Sequence, residues 1–296
     1  MGQLDKTKWV RVTRASPCPC CNHPDYCTRS QMGDAIHCMR VESSLPCNGG
    51  GWIHRLSEPL PRVELPDKPP RPRKDAAVIA KTCCTNKAAA DKRITLASTL
   101  GVSKEVLADL CVGVGWDYDG TEWASFPSRG INGEIVGITR RYDNGSKKTL
   151  AGTSNAGIFC KQWWWIGNGT VYIVEGASDV AALIDAGLSA IGRPSCIGGL
   201  VVLTAYLKRH GPKRIVVIGE NDLKPEKRGS IQQCPVNCQG CLVCWPGYTG
   251  CVITASRLAK ALNRKVETLM PPTEFKDARQ WWIGNQLNGL TYKSPE

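Results

Sequence analysis

Two sets of cysteines and one set of acids are spaced for chemistry. Cys18, Cys21, Cys27 and Cys38 stand as C-x2-C-x5-C-x10-C. The run Cys18-Pro19-Cys20-Cys21 predicts a tight knuckle that points two thiolates at one metal. The later pair would close a tetrahedral sulfur site, the geometry Zn²⁺ accepts. Cys20 and His23 stand as alternative ligands. Cysteine is also a small core hydrophobe, but four between positions 18 and 38 favour a closed, structural zinc site. A second set, Cys234, Cys238, Cys241 and Cys244, reads C-x3-C-x2-C-x2-C within Gln233–Trp245. It belongs to an expected insertion over 231–250 that needs its own staple, and bound Zn²⁺ supplies one. An iron–sulfur centre, or thiols without metal, are the alternatives at this tighter spacing.

The acids follow apolar runs. Glu175 and Gly176 come directly after Val171-Tyr172-Ile173-Val174, and Asp179 opens the helix beyond. Glu220, Asn221 and Asp222 follow Arg214-Ile215-Val216-Val217-Ile218 and Gly219 in the same way. Ligands of open parallel sheets bind beyond the carboxyl ends of the strands, so Glu175, Glu220 and Asp222 are expected in one crevice. Crowded carboxylates need a hard cation, and Mg²⁺ held by one or two carboxylates plus substrate phosphates meets that need, with Mn²⁺ as a substitute. The competing account is that the acids only complement helix dipoles.

These residues need a scaffold, and the apolar pattern provides one. The alternation of short buried runs with the helices Ser178–Ala186, Leu200–Arg209 and Val252–Leu262, closing on a strand near Val266–Met270, predicts an α/β domain with a small parallel sheet over 169–296. Residues 75–168 read as an α+β subdomain. It has a helix over Thr95–Leu110, restarted at Val102-Ser103-Lys104-Glu105, then strands near Trp123–Phe126 and Ile135–Tyr142 and a hairpin turn at Asp143-Asn144-Gly145. The proline-rich basic run 59–74 reads as a linker, and 1–58 as the metal-nucleated module.

Across 296 residues the net charge is +12, with 42% hydrophobic and 22% charged residues. That composition excludes a disordered chain, and the charge favours polyanionic partners. Met1–Val12 lacks the apolar core of a secretory signal, and no run reaches the ~18 apolar residues that span a bilayer. A cytoplasmic protein with reduced thiols and no membrane partner is therefore expected. Arg29, Arg40, Trp52 and His54 are candidates to meet nucleic acid from the cysteine module. Trp163-Trp164-Trp165 and Trp281-Trp282 could stack bases, although core packing is the commoner use of tryptophan. No G-x4-G-K-[ST] occurs, so the sequence carries no helicase motor motif.

The run Ile173-Val174-Glu175-Gly176-Ala177-Ser178-Asp179, with Ala181-Ala182-Leu183, Gly187 and Ala190, resembles the first motif of TOPRIM domains. Ile218-Gly219-Glu220-Asn221-Asp222 resembles their second. Upstream, Val112-Gly113-Val114-Gly115-Trp116, Phe126-Pro127, Gly133–Ile138 and Arg140-Arg141-Tyr142 resemble the N-terminal part of DnaG-type and phage primase cores, and a zinc ribbon in front is also that family's layout. The resemblance implies a TOPRIM-like fold and the synthesis of short RNA primers on single-stranded DNA from NTPs, with a replicative helicase in trans. It implies Glu175 as catalytic acid, Glu220 and Asp222 as Mg²⁺ holders, and Asp179 and Asp277 as supporting acids. Arg140, Arg141, Lys147 and Lys148 would face phosphates. Apart from the resemblance, Lys224 just past the acids is placed for phosphates, with a solvated loop as the default reading. One departure is Glu220, where the motif usually opens with Asp; the longer arm shifts a metal by about a methylene and bears on polymerising activity. The alternatives are a non-catalytic module that binds single-stranded DNA or recruits a helicase, and a TOPRIM nuclease.

Overall fold

The computed structural model describes residues 9–45, 47, 51–61, 74–161, 169–228 and 234–287. It divides into two compact units, residues 1–70 with 225–239, and residues 71–224 with 240–296. Most of the expected linker, the Trp163-Trp164-Trp165 run and residues 231–233 lie outside the described residues.

In the first unit four short strands, β1 (Trp9–Arg11), β2 (Thr28–Ser30), β3 (Ala35–Cys38) and β4 (Trp52–Arg55), form an antiparallel meander. Its core is small: Val12 and Ile36 pack with Cys18, Cys27 and Cys38, flanked by Leu56 and Leu60. So little apolar area calls for a further staple.

The second unit begins with three helices, α1 (Ala76–Thr85), α2 (Ala89–Leu100) and α3 (Lys104–Asp109). Asp75 caps α1 by accepting from the amides of Ala77 and Val78, and Ser103 caps α3. The single helix expected over Thr95–Leu110 is two. Gly101 ends α2 in the left-handed conformation (φ 68°), which releases the chain for a new cap at Ser103.

An antiparallel sheet comes next, in the order β5 (Gly113–Trp116), β6 (Glu122–Arg129), β7 (Ile135–Arg141), β8 (Lys147–Thr149). The Asp143-Asn144-Gly145 turn joins the last two strands, with Gly145 at φ 82°. The third sheet is wholly parallel. Its central strand β9 (Thr170–Glu175) lies between β10 (Ala190–Arg193) and β11 (Arg214–Ile218), with β12 (Glu267–Leu269) outside β11. Helices α4 (Ala177–Asp185), α5 (Leu200–His210), α6 (Pro246–Leu262) and α7 (Ala278–Leu287) complete the unit. The α/β class with a small parallel sheet, a preceding α+β part and an N-terminal cysteine module is thus observed. Helix α6 starts six residues before the expected Val252, because Pro246 sits in its first turn, where a missing N–H costs nothing.

Two apolar clusters hold the parallel sheet. One joins α2, α3 and α4 to Tyr172, Val174, Val216 and Ile218. The other sets α5 and α6 against Ile173, Ile191, Ile215 and Val217. Alternate residues of each strand serve opposite faces, as covered parallel strands require. The two sheets of this unit are sewn together by residues 158–159. Arg129 exchanges both backbone hydrogen bonds with Ile158 (2.7 and 2.9 Å), and Phe159 does so with Gly192 (2.9 and 2.8 Å).

Candidate active site and metal centres

In parallel strands the carboxyl ends lie together, so register decides which side chains become neighbours. Glu175 closes β9 and pairs in register with Arg193, the last residue of β10. Glu220 and Asp222 come after β11 on the other side of β9. The chain turns at Gly176 (φ 80°) into α4, whose first turn buries Asp179.

The acids are held from behind by a network that no sequence motif announces. Asn221 donates from Nδ2 to the carbonyls of Pro271, Pro272 and Phe275 (2.9, 3.0 and 2.8 Å). Its amide donates to Lys276 O (2.7 Å), so Asn221 fixes the turn that carries Lys276 and Asp277. Asp277 then caps α7 by accepting from the Gln280 amide (2.8 Å). Asp179 accepts from the Arg279 amide of the same helix (3.0 Å). Asp222 accepts from the Gly247 amide at the start of α6 (2.8 Å), and the Trp245 indole donates to Glu220 O (3.1 Å). A β-carbon at position 247 would stand 2.6 Å from Glu220 Cβ and 2.7 Å from Asp222 Oδ1, so this approach needs glycine. Part of the competing account holds: Asp179, Asp222 and Asp277 do satisfy helix N-termini.

Electrostatics shows what that arrangement costs. Burial, then the charges of Glu175, Asp179 and Asp277, push Glu220 up to about 8. Burial and the neighbouring Asp277 push Asp179 up to about 7. Glu175 is also raised by burial, and Arg193 opposes that rise most. Such a set of oxygen donors fits a hard divalent cation, which would relieve the repulsion. Among the described residues the groups of three or more ligand atoms within 4.8 Å of one another are the two cysteine quartets. The carboxylates therefore match a cation that takes one or two protein ligands and the rest from phosphate and water.

Facing Glu175 is a cleft of roughly 250 Å³. Arg141 from β7 and Lys147, Lys148 and Thr149 from β8 form one wall, while Glu175, Gly176, Ser178, Pro194 and Ser195 form the other. Phe126 and Phe159 also line it. Burial lowers the Arg141 pKa, and Asp179 and Asp277 partly offset that. Arg140 is not brought to this cleft. Successive residues of a strand face opposite ways, and Arg140 pairs with Asp117 on the other face, beside Trp123 and Tyr142. Lys224 is exposed, its amide donating to Cys244 O (2.7 Å). Trp281 and Trp282 line a small apolar groove with Tyr172, Leu183 and Ile218, away from the acids.

Both cysteine quartets assemble as sulfur clusters: Cys18, Cys21, Cys27 and Cys38, and Cys234, Cys238, Cys241 and Cys244, each with its sulfurs within 4.8 Å. Cys20 and His23 are not among them. The Met39 amide donates to Cys27 Sγ (3.4 Å), Val41 to Cys38 Sγ (3.3 Å) and Val243 to Cys241 Sγ (3.4 Å). Amides aimed at sulfur stabilise thiolates and orient metal ligands. Burial pushes Cys18 up to about 11. Cys21 is brought down to about 7, because hydrogen bonds from the His23 backbone and Cys18 outweigh its burial. Four sulfurs in one shell hold their charge together only around a cation, and both quartets can hold a tetrahedral metal. Of the candidate nucleic-acid contacts, Arg40 is tied to Asp25 (2.8 Å) and lies over Tyr26, and His54 Nε2 bonds Val41 O (3.0 Å).

No family profile matches the chain, and none of the curated proteins does. Among solved structures it is similar to the primase fragment of the bacteriophage T7 primase-helicase, at 16% identity over 96% of each chain with a TM-score of 0.44. It is also similar to the DnaG primase catalytic domain bound to ssDNA, at 11% identity over 68% of this chain and 73% of that one, with a TM-score of 0.45. A third is the Aquifex aeolicus primase with its zinc-binding and RNA polymerase domains, at 12% identity over 73% of this chain and 60% of that one, with a TM-score of 0.47. Among the described residues no helix is long and apolar enough to cross a membrane.

Proposed function

We propose that this chain is a DNA primase: a nucleotidyltransferase that makes short RNA primers on single-stranded DNA by Mg²⁺-dependent phosphoryl transfer. The observation that carries the reading is the cleft in which Arg141 and its register partner Lys147 face Glu175, with Glu220 and Asp222 at the next strand end. Cations on one wall would bind and orient the triphosphate. The carboxylates opposite would hold a divalent ion and take the proton of the attacking 3′-hydroxyl, with Glu175 placed for that task by its raised affinity for protons. Bound there, Mg²⁺ would neutralise charge developing on the transferred phosphoryl group. Phe126 and Phe159, buried in the apolar core behind the cleft, would help exclude water. Zn²⁺ in the two cysteine quartets would be structural, and the N-terminal module would grip the template, with a replicative helicase acting in trans.

A non-catalytic single-strand-binding module is favoured by one observation, the Asp222 oxygen already engaged by Gly247. Primer synthesis on single-stranded DNA with labelled NTPs and Mg²⁺ separates the two. The expected result is short RNA from the wild type and none from Glu175→Gln or Asp222→Asn. DNA binding without product, across templates and metals, would leave the binding module standing and end the primase reading.

A further inference from the structure

Among the described residues Arg193 is the largest side chain that is fully buried, at 1% exposure. It ends β10 beside Glu175, and its carbonyl accepts from the Gly176 amide (2.8 Å). The guanidinium Nη1 donates to the Cys196 carbonyl and to Thr254 Oγ1 (2.9 Å for the latter). Its Nε is buried with no partner. None of the ion pairs among the described residues includes it. Yet the carboxylate it feels most is Glu175, its register partner on the cleft wall, with Glu220 a weaker influence.

A buried guanidinium without a contacting counter-ion is expensive, and a neutral side chain of the same volume would fill the place at lower cost. Two hydrogen bonds to a carbonyl and a hydroxyl do not require a charge. What does require one is the neighbouring group of acids.

We propose that Arg193 is the resident counter-cation of the carboxylate cluster, a positioning residue that balances Glu175, its register partner, through the protein interior and limits how tightly the cleft takes a divalent cation. The inference rests on reading that cluster as a divalent-cation site. The protein then holds the ion loosely enough for it to arrive and leave with a nucleotide triphosphate. A guanidinium that only braced Cys196 and Thr254 would make the opposite prediction, since its loss would loosen the cleft and weaken the ion.

The test is Mn²⁺ titration of the zinc-loaded full chain, monitored by the electron-spin resonance of free Mn²⁺, for wild type, Arg193→Met and Arg193→Lys. Arg193→Met should bind Mn²⁺ about tenfold more tightly, because one positive charge has left a low-dielectric site, and Arg193→Lys should stay within about twofold of wild type. Equal or weaker binding by a folded Arg193→Met overturns the proposal. Wild type that takes up no Mn²⁺ sensitive to Glu220→Gln overturns the cation-site reading, and the proposal with it. If Arg193→Met does not fold, Arg193→Met with Glu175→Gln decides, since it removes one charge of each sign. Recovery of a cooperative melt supports the counter-cation role, and no recovery sinks it.

Discussion

A carboxyl group buried beside another carboxylate resists ionisation, and at Asp179 that resistance is tied to the stability of the whole chain. Its pKa rises from 3.8 to about 7 on folding. Between those values the folded protein keeps a proton that the unfolded chain releases, so stability falls as pH rises through that window. Glu220, pushed up to about 8, extends the same trend toward alkaline pH. In Mg²⁺-free buffer, urea unfolding should therefore show wild type losing stability from pH 5 to 8. Asp179→Asn, which can still accept from the Arg279 amide, should flatten that slope and gain on the order of 1 kcal/mol or more at pH 8. Parallel curves for the two proteins would show that Asp179 is ionised throughout. At this scale the sequence is informative about acids and silent about their supports. Glu175, Glu220 and Asp222 are legible because acids directly after apolar runs mark strand ends. Arg193 belongs to no motif in the sequence, and nothing in a sequence states that a guanidinium is buried. Arg140 is misplaced by sequence alone because two adjacent arginines look alike until strand pairing gives each a face.

The elements divide in the same way. Long apolar runs announce β9, α5 and β11, because burial on both faces leaves a continuous signature. Strands of three or four residues, such as β1–β4 and β10, are too short to show a period. Helix α1, Ala-Ala-Val-Ile-Ala-Lys-Thr-Cys-Cys-Thr, carries few large apolar residues, and its packing depends on smallness in its partner. A β-carbon on Gly113 of β5 would stand 2.3 Å from the Cys83 carbonyl carbon and oxygen. Gly113→Ala should thus cost about 1–3 kcal/mol, read as a lower melting temperature with zinc content unchanged. An unshifted melt would mean that α1 can slide on the sheet. The cysteine quartets make an element-scale prediction of their own. Metal analysis should find two zinc ions per chain, falling to one in Cys27→Ser and one in Cys244→Ser. The Cys27→Ser module, left with a core as small as Val12 and Ile36, should unfold locally, as small metal-nucleated domains do. Iron in place of zinc at the second quartet would overturn the structural-zinc assignment there.

For the molecule as a whole, a net charge of +12 predicts binding to single-stranded nucleic acid that weakens steeply with salt. If Lys147 and Lys148 meet phosphates, replacing both with alanine should reduce the slope of log K against log salt by about 1.4, from about 0.7 for each contact on a single strand. A slope that does not change would place the backbone contacts elsewhere.

The exchange of hydrogen bonds at Arg129–Ile158 and Phe159–Gly192 bears on how substrate gets in. Because one short segment is bonded to β6 on one side and to β10 on the other, the jaws of the cleft cannot swing apart without breaking one of these pairs of backbone bonds. Its width behaves as a fixed gauge, and adaptation to different bases falls to the long arms of Lys147 and Arg141. The amides of Phe159 and Gly192 should then be among the slowest in this unit to exchange with deuterium, with or without nucleotide.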